Sequence, residues 1–292
     1  IDAEEIQRRV VQSCFLVPGV KVRLTDKRAG GGEPFEFVSR GGLADLVDHL
    51  SVGDNACEVI TLSGISEFVE RVPVDGKMTD VERECTVEVA LRWTKGYDAL
   101  VESFVNTIPT SQGGTHTAGF DRALTRAVND VLLKDTRKLA KLVKENKHRA
   151  TKEDVQEGLV AAVKVVFPEP QFRGQTKQEL GTPAVEKIVY EVVKGGLADW
   201  FGGGGPKTHI NAVRDKLASA VVNRVSSKQM LDARRKAASM GSTGMPDKLA
   251  DCRTHGPDAE LVIVEGDSAA GPAKAGRNAE NTAILPLRGK VV

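Results

Sequence analysis

Apolar residues at helix spacing and at strand spacing take turns along the chain. Residues 4–13 (EEIQRRVVQS) predict a short amphipathic helix. Val20, Val22 and Leu24 alternate with Lys21, Arg23 and Thr25 as a strand, and the three glycines of 29–34 form a turn. Phe35 and Phe37 then supply a hairpin partner, and Gly41-Gly42 leads into a helix with Leu43, Leu46, Val47 and Leu50 on one face. Val59, Thr61 and Ile65 read as a less regular region. Val87, Val89, Leu91 and Trp93 make a cleanly alternating strand, and Leu100, Glu102, Phe104 and Asn106 continue the sheet. Gly113 and Gly114 give a tight approach to a helix that Thr115 or Thr117 caps, with Phe120, Leu124, Ala127, Val128 and Val131 as its stripe.

Lys134–Arg149 is Lys-rich and reads as a solvated helix face. Thr151 to Asp154 has the form of a capping box, and Val160, Ala162, Lys164 and Val166 form a strand. Pro168, Pro170 and Gly174 mark a loop over 168–180. Residues 184–199 form a helix on Val185, Ile188, Val189, Val192 and Val193, ending near Gly195-Gly196 and anchored by Trp200-Phe201. Gly202–Gly205 reads as a flexible link; it is no P-loop, because Pro206 precedes Lys207 where that motif needs Gly. A long helix follows over about 208–240, with Val213, Leu217, Val221 and Val225 at four-residue spacing. The pattern as a whole predicts an α/β fold.

With 292 residues, 40% apolar and 28% charged, the chain has the size of roughly two domains. Aromatics are only 4%, so Val, Leu, Ala and Ile must fill the core. The net charge of +1 gives no global field to recruit nucleic acid, so any DNA site is a local patch. Cys14, Cys57, Cys85 and Cys252 are scattered without a C-x-x-C, and the five histidines are dispersed. Neither a disulfide framework nor metal-ligand spacing is expected. No apolar run reaches membrane-spanning length and no signal peptide precedes Ile1, which points to a cytoplasmic setting. The chain begins without Met and stops soon after its most specific motif, so it reads as a fragment.

That motif is Glu260–Lys290, ELVIVEGDSAAGPAKAGRNAENTAILPLRGK. The apolar strand Leu261–Val264 delivers Glu265 to its C-terminal end, where open α/β sheets place their chemistry. Gly266 permits a sharp turn, and Asp267 and Ser268 suit an N-cap. A carboxylate beside a helix N-terminus suits Mg2+, which shares its sites with water and phosphate oxygen. The same short string also fits a plain helix cap. VEGDSA, AKAGRN and AILPLRGK together resemble the start of the Toprim domain in the B subunits of bacterial type IIA DNA topoisomerases, DNA gyrase and topoisomerase IV. Ala270 and Pro272 stand where that family usually has Gly and Ser. The resemblance implies that Glu265 is a Mg2+-binding acid with a general-acid role in religation.

Gln175, Thr176 and Lys177 sit on the tip of the 168–180 loop. A Lys there is a point charge for a terminal phosphate, and a Gln amide both donates and accepts, so it can orient water. PQFRGQTKQELG resembles the family's transducer loop, which reaches the ATP of its own chain. That implies Lys177 on the γ-phosphate, with Gln175 helping to position it. His116 follows the Gly-Gly pair but has no nucleophile or acid placed near it in sequence, and reads as structural.

From Lys207 to Arg253 there are ten Lys or Arg, four Asp and no Glu, a net of +6. Such a cluster suits a phosphate backbone, with salt-sensitive affinity, and equally suits a solvated helix. ARRKAASMGSTGMPDKLADC resembles the family's segment along the DNA gate, with Asp247 where Gly is usual. The DNA contacts this implies are Arg234, Arg235, Lys236 and Lys248, with Lys274, Arg277, Arg288 and above all Lys290 from the later motif.

The resemblance spans nearly the whole chain and implies four parts. These are the tail of an ATP-binding domain (1–28), a transducer domain (29–205), a connecting helix and DNA-gate segment (206–258), and a truncated Toprim domain (259–292). It implies an ATP-dependent type IIA topoisomerase using ATP and Mg2+, with DNA as substrate. A partner A subunit would carry the nucleophilic Tyr in an A2B2 assembly, and the B subunits would dimerise on ATP binding. The family's further Mg2+ acids, an Asp-x-Asp pair, are expected beyond Val292, so this stretch alone should neither cleave DNA nor hydrolyse ATP. Two other classes compete. A different Toprim enzyme, a primase or recombination nuclease, would account for Glu265 but not for the QTK loop. A non-enzymatic DNA-binding module would use the 207–253 patch without any divalent metal.

Overall fold

The computed structural model describes residues 2–28, 33–74, 77–134, 149–243 and 248–287, without the side chains of 73–74 and 236–243. Arg288 and Lys290, the side chain of Lys236 and most of the Lys134–Arg149 stretch lie outside the described residues. The chain divides into two compact units, Ile1–Val225 and Ser226–Val292.

The first unit is built on a five-stranded mixed sheet. Its strands are β3 (Ile60–Val74), β4 (Lys77–Trp93), β5 (Leu100–Val105), β6 (Ile108–Pro109) and β7 (Leu159–Val166), in the order β3-β4-β7-β5-β6. β7 lies between β4, to which it is antiparallel, and β5, to which it is parallel. Both of its edges are therefore paired, and with helices over both faces seven of its eight residues are buried. A strand buried on both faces reads as a near-continuous apolar run. Lys164 alone breaks that run. Its ammonium is neutralised by Glu88 at 2.9 Å and donates to the Leu16 carbonyl at 3.0 Å, the C-terminal end of a helix, where a cation is favoured.

Alternation sends Val87, Val89, Leu91 and Trp93 of β4 and Ala161, Val163 and Val165 of β7 to one face. There they meet α3 (Thr115–Ala127) and α5 (Pro183–Asp199). The opposite face offers Ala90, Phe104, Val160 and Ala162. It is covered by α1 (Ala3–Leu16) and α2 (Leu43–Leu50) through Phe15, Leu16, Leu43, Leu46 and Val47. The hairpin of β1 (Lys21–Leu24) and β2 (Phe35–Val38) pairs antiparallel, as the alternation predicts. α4 (Lys152–Gln156) starts with Thr151 accepting from the Asp154 amide and Asp154 accepting from the Thr151 amide. That reciprocal pair is the expected capping box.

Four local expectations are corrected. Thr61 and Ile65 do not lie in an irregular region, although Val59 does: β3 is a 15-residue strand paired in unbroken register with β4 from Ile60↔Leu91 to Val74↔Lys77. Exposure alternates along β3 from Thr61 to Val72, but its outer face carries Ile65 and Val69 while Ser66 and Glu70 turn inward, so the sequence of this strand shows no amphipathic contrast. Val131 is not on the buried stripe, because α3 passes into a wider π-helical turn at Val128–Leu132. The changed phase turns Leu132 and Leu133 inward instead. α5 does not stop at Gly195-Gly196 but runs to Asp199, and a side chain at Gly196 would meet the Leu62 Cδ2 at 2.7 Å. The Gly202–Gly205 run is no loose link: Gly205 is buried, and a Cβ there would stand 2.4 Å from the Trp200 ring.

α6 (Lys207–Thr243) is one continuous helix that starts in the first unit. Val213, Leu217, Val221 and Val225 are buried as expected, joined by Ile210. After Val225 the apolar stripe ends, and Met230 and Leu231 are 67% and 53% exposed.

The second unit pairs β10 (Glu260–Glu265) with β11 (Thr282–Leu287) in parallel, connected by α7 (Gly266–Gly276). β8 (Phe172–Arg173) and β9 (Glu179–Leu180) form a small separate hairpin in the first unit.

Candidate functional site

The Gln175–Lys177 segment is the tip of the β8–β9 hairpin, and all three residues are exposed. Its stem is fastened on two sides. Toward α3, the Leu180 amide donates to the Gly113 carbonyl (3.0 Å), the Gln112 amide to the Gln178 carbonyl (3.0 Å), and the Gln112 side-chain amide to Gln178 Oε1 (2.9 Å). Gly114 makes that approach possible. It has φ +134°, and a Cβ would sit 2.3 Å from the Leu180 oxygen. Toward the β3–β4 arm, Gln171 donates to Glu70 (2.7 Å), and Arg83 donates to the Pro168 carbonyl (3.2 Å) and to Glu169 (2.5 Å). The result is a rigid stem under an exposed tip.

Lys177 itself has φ +55°, the left-handed region that costs a non-glycine residue about 1–2 kcal/mol. Such local strain is common where a side chain must be aimed. Its ammonium rests 5.8 Å from the Phe172 ring centroid, a cation–π contact that needs no anionic partner.

His116 is buried beneath the start of α3. Its Nε2 lies 3.0 Å from Thr110 Oγ1, which is 2.7 Å from Ser103 Oγ. Nδ1 has no partner among the described residues, and burial lowers the imidazole pKa to about 4, so the ring is neutral near pH 7. The structural reading of His116 stands. The helix is capped differently from expected: Gly114 holds the N-cap position, and Thr117 reaches back to accept its amide hydrogen at 3.0 Å.

In the second unit, Glu265 stands at the C-terminal end of β10, exposed, with Leu287 opposite it in register. It also occupies the N-cap position of α7, but its side chain makes no cap hydrogen bond. Asp267 and Ser268 therefore lie in the first turn rather than capping it. Asp267 receives Lys248 at 2.6 and 2.7 Å. α7 runs through Pro272 despite the missing backbone donor. The strand that carries Glu265 is not buried: Leu261 and Ile263 are each 56% exposed, because β11 and α7 are its neighbours among the described residues.

The expected DNA contacts fall into two groups. Arg234, Arg235 and Lys274 are exposed. Lys248 is engaged by Asp267, and Arg277 donates to the Ala250 carbonyl. Three further cations of the 207–253 stretch serve the first unit. Arg214 donates to the Leu132 carbonyl (3.1 Å), Lys216 to the Gly96 carbonyl (2.6 Å), and Arg224 is paired with the buried Asp154 (2.8 and 2.9 Å). The +6 count thus overstates the charge open to a ligand.

No metal-ligand spacing is expected from the cysteines and histidines, yet Asp251, Cys252 and His255 bring a carboxylate oxygen, a sulfur and a ring nitrogen within 4.8 Å of one another. The signal in the sequence is a D-C-x-x-H run, which lacks the second cysteine of a C-x-x-C pair.

A mixed sheet with helices on both faces, followed by a parallel β-α-β unit ending its first strand in an exposed acid, defines an α/β protein of two units, the fold class the patterning predicts. The DNA gyrase B family profile matches residues 42–239, and the chain belongs to that family. It is 38% identical over 292 residues to the DNA gyrase B protein of Streptococcus pneumoniae serotype 4, a match that covers 100% of this chain and 42% of the relative. It is 37% identical over 306 residues to that of Streptomyces coelicolor, at 99% and 42% coverage. The chain thus spans less than half the length of these curated relatives. The solved 43K ATPase domain of Thermus thermophilus gyrase B matches with TM-score 0.60 and 28% identity, over 80% of this chain and 57% of that one. The B-subunit of the Myxococcus xanthus DNA gyrase shares the fold with TM-score 0.54 at 23% identity, over 74% and 60%.

Proposed function

We propose that this chain is the middle portion of the B subunit of a type IIA DNA topoisomerase, which passes one duplex through a transient double-strand break in another. The match to the DNA gyrase B family over residues 42–239 carries this reading. Within it, residues 29–205 act as the transducer, with 1–28 as the tail of an ATP-binding domain. Residues 206–258 run to the DNA gate, and 259–292 open a Toprim domain.

Lys177 is the nucleotide sensor. An exposed ammonium held by a ring face is exchanged for a phosphate at little cost, and Gln175 beside it orients the phosphate or its attacking water. Loss of the terminal phosphate removes the partner of Lys177, and a loop ordered by that phosphate is released. Because the stem is bonded to the start of α3, release at the tip is felt there first.

Glu265 fits a hard cation: it is an exposed carboxylate at a strand end and helix start, with no side-chain cap bond to give up. Bound there, Mg2+ supplies Lewis-acid stabilisation of the phosphodiester oxygens. Arg234, Arg235, Lys236, Lys274, Arg288 and Lys290 supply backbone contacts, and Lys248 and Arg277 join them only by exchanging present partners. DNA, an A subunit with the attacking Tyr, and ATP-driven pairing of the B subunits complete the assembly.

Lys177→Ala in the full-length protein should lower ATP turnover at least a hundredfold while nucleotide binding stays within about threefold. Normal turnover would remove the sensor role. Glu265→Gln, assayed with the A subunit, should lose Mg2+-dependent cleavage by a similar factor. Cleavage that persists, or that never needed a divalent ion, would favour a plain DNA-binding module.

A further inference from the structure

We propose that Asp251, Cys252 and His255 form a second cation site, selective for a borderline ion such as Zn2+ and separate from the Glu265 end of the strand. The three donor atoms lie within 4.8 Å of one another. One sulfur, one imidazole nitrogen and one carboxylate oxygen suit Zn2+ or Co2+, which accept S and N ligands; Mg2+ prefers oxygen. Three protein ligands leave a fourth tetrahedral position for water or a small anion.

The loop that carries them is framed by backbone hydrogen bonds to β11 and the turn before it. Ala250 and Ile284 exchange both amide bonds (2.8 and 2.9 Å), the Arg253 amide donates to Ala279 (3.1 Å) and the Thr254 amide to Glu280 (2.8 Å). Within the loop, Asp251 Oδ1 accepts from the Cys252 amide (2.9 Å) and Asp251 Oδ2 lies 2.9 Å from His255 Nε2. The carboxylate and imidazole thus already face each other, and a cation entering between them replaces that hydrogen bond by two ligand bonds. The Cys252 thiol donates to the Thr254 carbonyl at 3.3 Å. On binding, the S–H bond is replaced by a sulfur–metal bond and one proton passes to solvent, so affinity should rise with pH. Cys252 is 8% exposed, whereas the His255 side chain is 65% exposed, which leaves a route in from water.

The cluster flanks the start of β11, while Glu265 stands beside Leu287 at its end. Five residue steps, from Thr282 to Leu287, separate the two ends of β11, about 16 Å. One ion cannot serve both.

The test uses the 292-residue chain, stripped of metal by chelation, and Co2+ as the probe. We expect one equivalent to bind, with a sulfur-to-cobalt charge-transfer band in the near ultraviolet and intense four-coordinate bands in the visible. Zn2+ should bleach both and Mg2+ neither. Cys252→Ser should abolish the charge-transfer band, and His255→Ala should weaken Co2+ affinity at least tenfold. Cys14, Cys57 and Cys85 remain as an internal control. Circular dichroism checks the fold of the Cys252 variant; if it unfolds, the exposed His255 decides. Absence of a thiolate band, or a band and affinity unchanged in the His255 variant, would overturn the site.

Discussion

The two units place their candidate functional side chains by different means. In the first, Trp93, Phe120, Leu124, Leu159, Leu180 and Leu197 are fully enclosed, and the hairpin that presents Lys177 is tied to that mass through Leu180. In the second, the described buried apolar residues are Cys252, Ala270, Ala283, Ile284 and Pro286, and the strand that presents Glu265 is largely wet. A core of small and few side chains contributes little at about 25 cal/mol per Å2. The second unit is therefore held by strand pairing, loop-to-strand hydrogen bonds and exposed ion pairs. The lesson is that the exposed lysine proposed as a phosphate sensor is aimed by packing, whereas the proposed metal-binding acid is aimed by backbone register.

Trp93→Ala should break the first unit hardest. The ring is 0% exposed, packs 6.2 Å from the Phe201 ring, and its Nε1 donates to the Val155 carbonyl at 2.9 Å. A cavity of that size costs about 3–5 kcal/mol, and Val155 also loses its donor. Hydrogen exchange should show faster opening of β4 and β7 with little change in β10. Equal loss in β10 would mean the units unfold as one, and the contrast drawn above would fail.

His116 sharpens the comparison through pH. Its folded pKa of about 4 lies below the usual imidazole value of about 6.5, so between those limits the unfolded chain binds the extra proton. Stability from this group is complete above about pH 6.5 and is lost as pH falls toward 4, by about 3 kcal/mol. Denaturation midpoints of the wild type and His116→Gln, followed from pH 7 to 4, should converge as the pH drops. Parallel curves would show that the buried ring does not titrate this way.

Much of this was legible beforehand for physical reasons. Val87, Val89, Leu91 and Trp93 alternate because that strand has a dry face, and the long helix could be traced by Val213, Leu217, Val221 and Val225 because one stripe is buried. The β3–β4 arm has no apolar alternation to read because Ile65 and Val69 lie on its exposed face while Ser66 and Glu70 lie on the partly buried one. Its hairpin signal was present as Asp75-Gly76, the two residues between Val74 and Lys77. The QTK tip is visible as a motif, but the positive φ of Lys177 and the clamp to Gly113 belong to tertiary contacts that no local pattern encodes. Counting charge failed for a similar reason: Arg224 looks available in a basic helix, yet its guanidinium is spent on Asp154, 70 residues away in sequence.

The smallest expected effect tests the second unit's dependence on polar contacts. Lys248 and Asp267 meet at 2.6 Å with side chains 40% and 55% exposed. An exposed pair of this kind contributes about 0.2–1 kcal/mol, and salt screens it. A double-mutant cycle of Lys248→Ala and Asp267→Asn should therefore give a coupling below about 1 kcal/mol that fades in molar salt. If Lys248 moves to a DNA phosphate, Asp267→Asn should strengthen DNA binding by freeing the ammonium, while Lys248→Ala should weaken it and lower the salt slope by about one. An Asp267→Asn variant that weakened DNA binding would mean that the carboxylate, held beside the start of α7, contributes to the site itself rather than merely holding the lysine back.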